Sequence, residues 1–336
     1  MIPLEIGILY IKQKREGTLM PLVDMPLREL LAYEGVNPKP ADFDQYWNRA
    51  KTEIEAIDPE VTLVEAPFQC SFANCYHFYY RSAGNAKIHA KYLQPKTAEK
   101  TPAVFMFHGY GGRSAEWSSL LNYVAAGFSV FYMDVRGQGG ASEDPGGVRG
   151  NTYRGHIIRG LDAGPDALFY RSVFLDTVQL VRAAKTFPHI DKTRLMATGW
   201  SQGGALTLAC AALVPEIKRL APVYPFLSDY KRVWQMDLAI RSYKELADYF
   251  RSYDPQHKRH GEIFERLGYI DVQHLADRIQ GDVLMGVGLM DTECPPSTQF
   301  AAYNKIKAKK SYELYPDFGH EHLPGMNDHI FRFFTS

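Results

Sequence analysis

The chain is poor in the features that would tie it to a metal, a membrane or a polyanion. Its only cysteines among 336 residues are Cys70, Cys75, Cys210 and Cys294. Their spacing matches neither a zinc-binding pattern nor a redox pair, so they read as free, mostly buried thiols of an intracellular protein. No stretch approaches the ~20 apolar residues that a membrane-spanning helix needs. The short apolar run in MIPLEIGILYIKQKREG has no basic segment before it and no small-residue cleavage site after it, so it does not read as a signal peptide. Charge of one sign is missing as well: Lys plus Arg number 38, and Asp plus Glu 38. Nucleic-acid binding needs a basic footprint, and none is visible. A neutral balance gives no steering toward polyanions, which fits an uncharged substrate. Internal repeats and low-complexity tracts are absent.

What is present is ordinary globular composition, 46% hydrophobic and 23% charged, at a length suited to a large α/β domain with insertions. Met20 opens MPLVDMPLRELLAYEG, which reads as a natural start. Residues 1–19 are therefore expected to be a disordered leader, and 20–336 a single domain. A helical stripe runs over 41–57, with Asp42 as a plausible N-cap. Three β-like runs follow, at 61–69, 75–81 and 87–93, and read as an antiparallel edge. From 103 the text changes. Continuous apolar strands at 103–107, 128–133, 194–200, 220–224, 282–289 and 311–315 alternate with helices near 115–126, 166–186, 202–213, 297–307 and 327–334. That alternation predicts a mostly parallel central sheet covered by helices on both faces. Residues 225–280, rich in Tyr, Arg, Asp and His, break the rhythm. They are expected to form a helical cap inserted over the C-terminal edge of the sheet.

Gly199-Trp200-Ser201-Gln202-Gly203 spells G-x-S-x-G. Apolar RLMAT precedes it and the helical GALTLACAAL follows, the strand–turn–helix setting that lifts a serine hydroxyl above a sheet. A serine hydroxyl is a weak nucleophile without a base. On this fold the partners follow in the order Ser, acid, His. Asp291, at the end of DVLMGVGLM, is the candidate acid; Glu293 lies two residues on, and Asp317 is a weaker rival. His320, after Gly319 in DFGHEH, is the candidate base, with His322 as its competitor. His108 ends a strand ahead of the nucleophile and is expected to bond structurally. The loop His108-Gly109-Tyr110-Gly111-Gly112 resembles the glycine-rich oxyanion loop of esterases. It assigns one donor to the Tyr110 amide and the second to the Gln202 amide. Tyr110, Trp117 and Phe226 are candidate walls of a small acyl pocket, with plain core as the competing role for each.

The sets HGYGG, RGQGG (136–140), GWSQGG (199–204) and the His320-Glu321 pair occur together. With MPLVDMPLRELLAYEG and MDVRGQGG they resemble carbohydrate esterase family 7, the acetyl xylan esterases and cephalosporin C deacetylases of the α/β-hydrolase superfamily. The resemblance spans 20–336. It implies deacetylation of acetylated xylo-oligosaccharides, cephalosporin C and similar small acetyl esters, with Ser201, Asp291 and His320 as the triad and Tyr110 also touching substrate. It further implies a cytoplasmic homohexamer, and Arg136 and Gln138 organising the loop beside the site. Arg136 is expected to pair with a carboxylate such as Glu321 and brace the histidine loop. No metal or cofactor is required by this chemistry. The competing readings are a serine peptidase of the same fold and a non-catalytic binding protein on a hydrolase scaffold.

Overall fold

The computed structural model describes residues 23–146 and 152–336, so the leader expected over 1–19 lies outside the described residues. Nine strands among them form one sheet: β1 (Thr62–Glu65), β2 (Ala73–Arg81), β3 (Lys87–Pro95), β4 (Thr101–Phe107), β5 (Ser129–Met133), β6 (Ile190–Trp200), β7 (Ile217–Val223), β8 (Asp282–Gly288) and β9 (Lys310–Tyr315). Their spatial order is β1-β2-β3-β5-β4-β6-β7-β8-β9. The first three pair antiparallel, as does β3 with β5. Every pair from β5 to β9 is parallel. The helices are α1 (Leu27–Leu30), α2 (Phe43–Glu55), α3 (Leu121–Ala125), α4 (Phe169–Ala184), α5 (Gln202–Leu213), α6 (Tyr230–Gln235), α7 (Lys244–Tyr253), α8 (His260–Gly268), α9 (Pro296–Lys305) and α10 (Met326–Thr335).

Burial follows composition. TPAVFMF of β4 is buried at every position, as a central parallel strand covered on both faces must be. QGGALTLACAAL of α5 is buried all round, so it needs no polar face. Gly203 explains how α5 comes so close. A Cβ there would lie 2.0 Å from the Phe107 carbonyl oxygen, so helix backbone rests directly on the end of β4. On α2 the expected stripe is the buried face: Phe43, Tyr46, Trp47, Ala50 and Ile54.

Three local expectations fail for identifiable reasons. Asp42 occupies the N-cap position of α2 but makes no capping bond; its carboxylate accepts from the Tyr269 hydroxyl instead. β1 stops at Glu65, well short of residue 69, because Pro67 has no N–H for the ladder. The helix expected over 115–126 begins as a 3-10 turn, Trp117–Leu120, before α3. There the Ser119 hydroxyl donates to the Glu116 carbonyl at 2.7 Å, a local bond that competes with the regular ladder.

The C-terminal ends of the parallel strands carry the loops that matter. His108 follows β4, Ser201 follows β6, and Asp291 and His320 lie beyond β8 and β9. Between β7 and β8 the chain makes α6, α7, α8 and short 3-10 turns. α7 buries Leu246, Tyr249 and Phe250; α8 buries Ile263, Phe264 and Leu267.

Candidate active site

Ser201 sits at the turn between β6 and α5 with φ 59° and ψ −119°, a conformation that costs a residue with a Cβ of order 1–3 kcal/mol. The turn is held from several sides. The Ser201 amide donates to Val223 O at 3.0 Å, and the Ser201 carbonyl accepts from Ala205 at 3.1 Å and Phe226 at 3.0 Å. Held this way, the hydroxyl oxygen lies 3.0 Å from His320 Nε2. His320 Nδ1 lies 2.8 Å from Asp291 Oδ2. The carboxylate can only accept, so Nδ1 carries the proton and Nε2 is left to accept from the serine. Asp291 is fully buried, and its other oxygen accepts from the Glu293 and Cys294 amides, each at 2.8 Å. Those two amides and the imidazole fix its orientation. His320 itself is part-exposed, which leaves the ring open to substrate.

Two glycine-rich loops meet at this turn. Gly109 approaches so closely that a Cβ on it would lie 4.0 Å from Ser201 Cβ. Among the described residues no acceptor pairs with the amides of Tyr110 or Gln202. The first residue of a helix has no intrahelical partner for its N–H, so the Gln202 amide is free by construction. The side chains behind these amides interlock. Gln138 Nε2 donates to Gln202 Oε1 at 2.8 Å, and Gln202 Nε2 returns a bond to Gln138 Oε1 at 3.0 Å. Gln138 Oε1 also accepts from the Gly111 amide at 2.9 Å, and Tyr170 donates to Gln202 Oε1 at 2.8 Å. Both glutamines are fully buried. A proton-accepting histidine beside an alcohol, with two open amides alongside, suits attack on a carbonyl and shelter for the resulting oxyanion.

The family model of acetyl xylan esterase (AXE1) matches residues 20–336. The chain belongs to this family. Acetyl xylan esterase 1 from a Thermoanaerobacterium species is 56% identical and superposes with a TM-score of 0.90, over 93% of this chain and 98% of that one. The acetyl xylan esterase of Paenibacillus sp. R4 is 33% identical, with a TM-score of 0.86 over 92% and 99% of the two chains. Acetyl esterase Axe7A of Xylanibacter ruminicola is 25% identical over 82% of this chain. The chain spans 62% of the length of that curated relative. The likeness to these solved esterases makes the fold that of an α/β-hydrolase.

Within this acetyl xylan esterase family chain several side chains sit differently from expectation. Arg136 does not reach Glu321. Its Nε donates to Asp176 Oδ2 at 2.7 Å, its Nη2 to Asp176 Oδ1 at 2.5 Å and to Ala83 O at 3.0 Å, and the pair is buried. Arg136 thus ties the loop after β5 to α4, where two-pronged geometry suits a buried carboxylate. Glu321 instead accepts from the Gly319 amide at 3.1 Å, within the histidine loop, while its carbonyl accepts from the Tyr224 hydroxyl at 3.1 Å. Trp117 is not at the site. Its ring stands edge-on to His77 at 5.4 Å and beneath the Lys91 ammonium at 5.0 Å. Tyr110 and Phe226 do meet, edge to face at 5.6 Å. His322 lies flat on Trp200 at 5.7 Å rather than in the triad. His108 is structural: Nδ1 donates to Gly109 O at 2.7 Å and Nε2 accepts from the Val135 amide at 2.9 Å.

Sequence reasoning missed Cys294 and Glu245. Cys294 is fully buried beside Asp291; burial, then the charges of Asp291 and Glu293, push its thiol well up. Donor atoms of Asp291, Cys294 and His320 fall within 4.8 Å of one another, but the Asp291 and His320 atoms are already engaged in the hydrogen bonds given above. Glu245 of α7 accepts from the Tyr110 hydroxyl, and burial pushes its carboxyl up. Nothing in the sequence around Glu245 marks it, because its contact with Tyr110 joins segments 135 residues apart in the chain. A cleft of about 980 Å³ lies at the opposite end of the strands among Lys96, Lys100, Arg194, Lys218 and Arg219, and includes no triad residue.

Proposed function

We propose that this protein is a serine carboxylesterase that removes acetyl groups from acetylated xylo-oligosaccharides and similar small esters through an acetyl-enzyme intermediate. The Ser201–His320–Asp291 chain of hydrogen bonds carries the reading, and family membership supports the acetyl preference. In this mechanism the ester carbonyl rests against the Tyr110 and Gln202 amides. Ser201 attacks as His320 Nε2 takes its proton, and Asp291 stabilises the imidazolium that forms. The alcohol leaves with that proton. Water, deprotonated in turn by His320, then releases acetate. Roles are thus assigned to Ser201 as nucleophile, His320 as general base and acid, Asp291 as orienting carboxylate, and Gln138 and Arg136 as loop supports. Cephalosporin C, with its acetoxymethyl ester, belongs to the same proposed range. So do the homohexamer and the cytoplasmic location, which rest on the resemblance alone; light scattering on the purified protein and cell fractionation test them.

The deciding experiment compares wild type with Ser201→Ala on p-nitrophenyl esters from acetyl to octanoyl. Wild type should favour acetyl. Ser201→Ala should lose at least ~10³-fold, as removal of a triad member does. Retained turnover in Ser201→Ala would refute the mechanism, and preference for octanoyl the substrate class.

A further inference from the structure

Glu245 is a buried carboxylate that the triad does not use. It stands in the first turn of α7 and is 6% exposed. Oε1 accepts from the Tyr110 hydroxyl at 2.5 Å, and Oε2 from the Ile157 and Ile158 amides at 2.7 and 3.2 Å. Among the described residues no lysine or arginine pairs with it. A carboxylate buried without a counter-charge persists only where such hydrogen bonds compensate its lost hydration.

Its partner, Tyr110, is the residue whose amide the proposed mechanism sets against the ester carbonyl. Tyr110 lies between Gly109 and Gly111, and Gly111 has φ 68°. Glycine on both sides leaves the backbone little restraint of its own. Gln138 holds the Gly111 amide from one side. On the other side the tyrosine ring is packed edge-on by Phe226 at 5.6 Å and His156 at 5.2 Å. Those contacts set the tilt of the ring, whereas the hydrogen bonds at its far end, donated to Glu245 and accepted from the His156 amide at 3.3 Å, set how far it reaches.

We propose that Glu245 is a positioning residue: by holding the Tyr110 hydroxyl it fixes the Tyr110 backbone N–H in line with the ester carbonyl at Ser201, so the helical segment between β7 and β8 sets one half of the oxyanion site. This rests on the assignment of Ser201 and the Tyr110 amide given above. Without the carboxylate the amide remains but loses its aim. The contact weakens where charge develops on the carbonyl oxygen, and the neutral ester binds much as before. The loss then falls on kcat rather than KM.

The test uses the full chain with p-nitrophenyl acetate and four variants: Tyr110→Phe, Glu245→Ala, Glu245→Gln and the Tyr110→Phe/Glu245→Ala double. Tyr249→Phe is the control. It removes a hydroxyl on the same helix, bonded to Asp162 at 2.6 Å, and leaves Tyr110 untouched. Tyr110→Phe and Glu245→Ala should each lower kcat about 10- to 100-fold, the scale of a donor misplaced by about 1 Å, with KM within about twofold. Glu245→Gln, whose carbonyl can still accept from Tyr110, should recover part of the loss. The double variant should be no worse than the worse single one, and Tyr249→Phe should match wild type. If Glu245→Ala does not fold, Tyr110→Phe decides alone. Wild-type kcat in Tyr110→Phe, additive losses in the double variant, or an equal fall in Tyr249→Phe would overturn the assignment. Failure of wild type itself to label with a fluorophosphonate at Ser201 would instead remove the esterase reading beneath it.

Discussion

Replacing Gln138 by leucine tests the interlock behind the oxyanion loop. The change keeps the side chain's approximate volume and removes three hydrogen bonds, those with Gln202 Oε1, Gln202 Nε2 and the Gly111 amide. Gln202 is only partly abandoned, since Tyr170 still donates to it at 2.8 Å and its own amide group still reaches His108 O at 3.3 Å. The Gly111 amide has no substitute. One part-buried donor left unpaired costs at most about 1–3 kcal/mol, and the two side-chain bonds about 1 kcal/mol each. Apolar burial of leucine returns part of this, so a net loss of about 2–4 kcal/mol is expected by urea denaturation. Activity should fall further than stability implies, because Gly111 adjoins Tyr110. A loop released at that point should lower kcat about 10²-fold at a temperature where the variant is fully folded. Gln138→Glu sharpens the test, since an ionised carboxylate would face Gln202 Oε1 with an acceptor against an acceptor. The reasoning fails if Gln138→Leu unfolds with the wild-type midpoint and turns over p-nitrophenyl acetate at the wild-type rate.

Other outcomes follow from the same geometry. Asp291→Asn should lower kcat by about 10⁴ with the protein still folded, because an amide lets His320 take the wrong tautomer; stopped assays on p-nitrophenyl acetate measure it. Gly203→Ala should fail to fold or lose several kcal/mol, since its methyl would sit 2.0 Å from Phe107 O, while Gly261→Ala on α8, with open space around it, should stabilise by about 0.5–1 kcal/mol; thermal melts compare them. Asp134 supplies a pH test. Burial would raise its carboxyl, but hydrogen bonds from His89 and from the Ser114 and Ala141 amides outweigh that and hold it well below the usual range. A depressed carboxyl adds stability above its unfolded value, about 3.9, and that stability is lost as pH falls toward the folded value. Wild type should therefore exceed Asp134→Asn most at pH 7, and the gap should narrow by pH 3 in parallel urea titrations.

Much of this site could be read directly from the chain because its chemistry is local. Gly199, Ser201 and Gly203 lie within one turn, and α5 begins at Gln202 and ends at Leu213, the bounds its apolar text suggests. Chain order points to Asp291 and His320, since Asp291 follows the buried strand β8 and His320 the half-buried strand β9. The antiparallel edge was readable from the alternation in β3, whose partners are sequence neighbours. Contacts between distant segments were not readable. Arg136 had many carboxylates to choose from, and which one it meets depends on how α4 crosses the sheet, not on any pattern near residue 136. Trp117 looked like a pocket wall because it follows the oxyanion loop in sequence, yet the 3-10 turn carries it to β2 and β3. Glu245 sits in text that reads as an ordinary amphipathic helix, and its burial against Tyr110 arises only when that helix folds back.

The backbone angles at Ser201 have a consequence for how this protein can be hardened against heat. A serine held at φ 59° is a standing debit against the folded state, and the proposed reaction requires it. Glycine would relax that turn, so an inactive Ser201→Gly protein should melt above its active parent. Selection for activity must then keep the least comfortable residue of the turn in place. Gains in heat resistance have to come from elsewhere, such as exposed helix positions like Gly261.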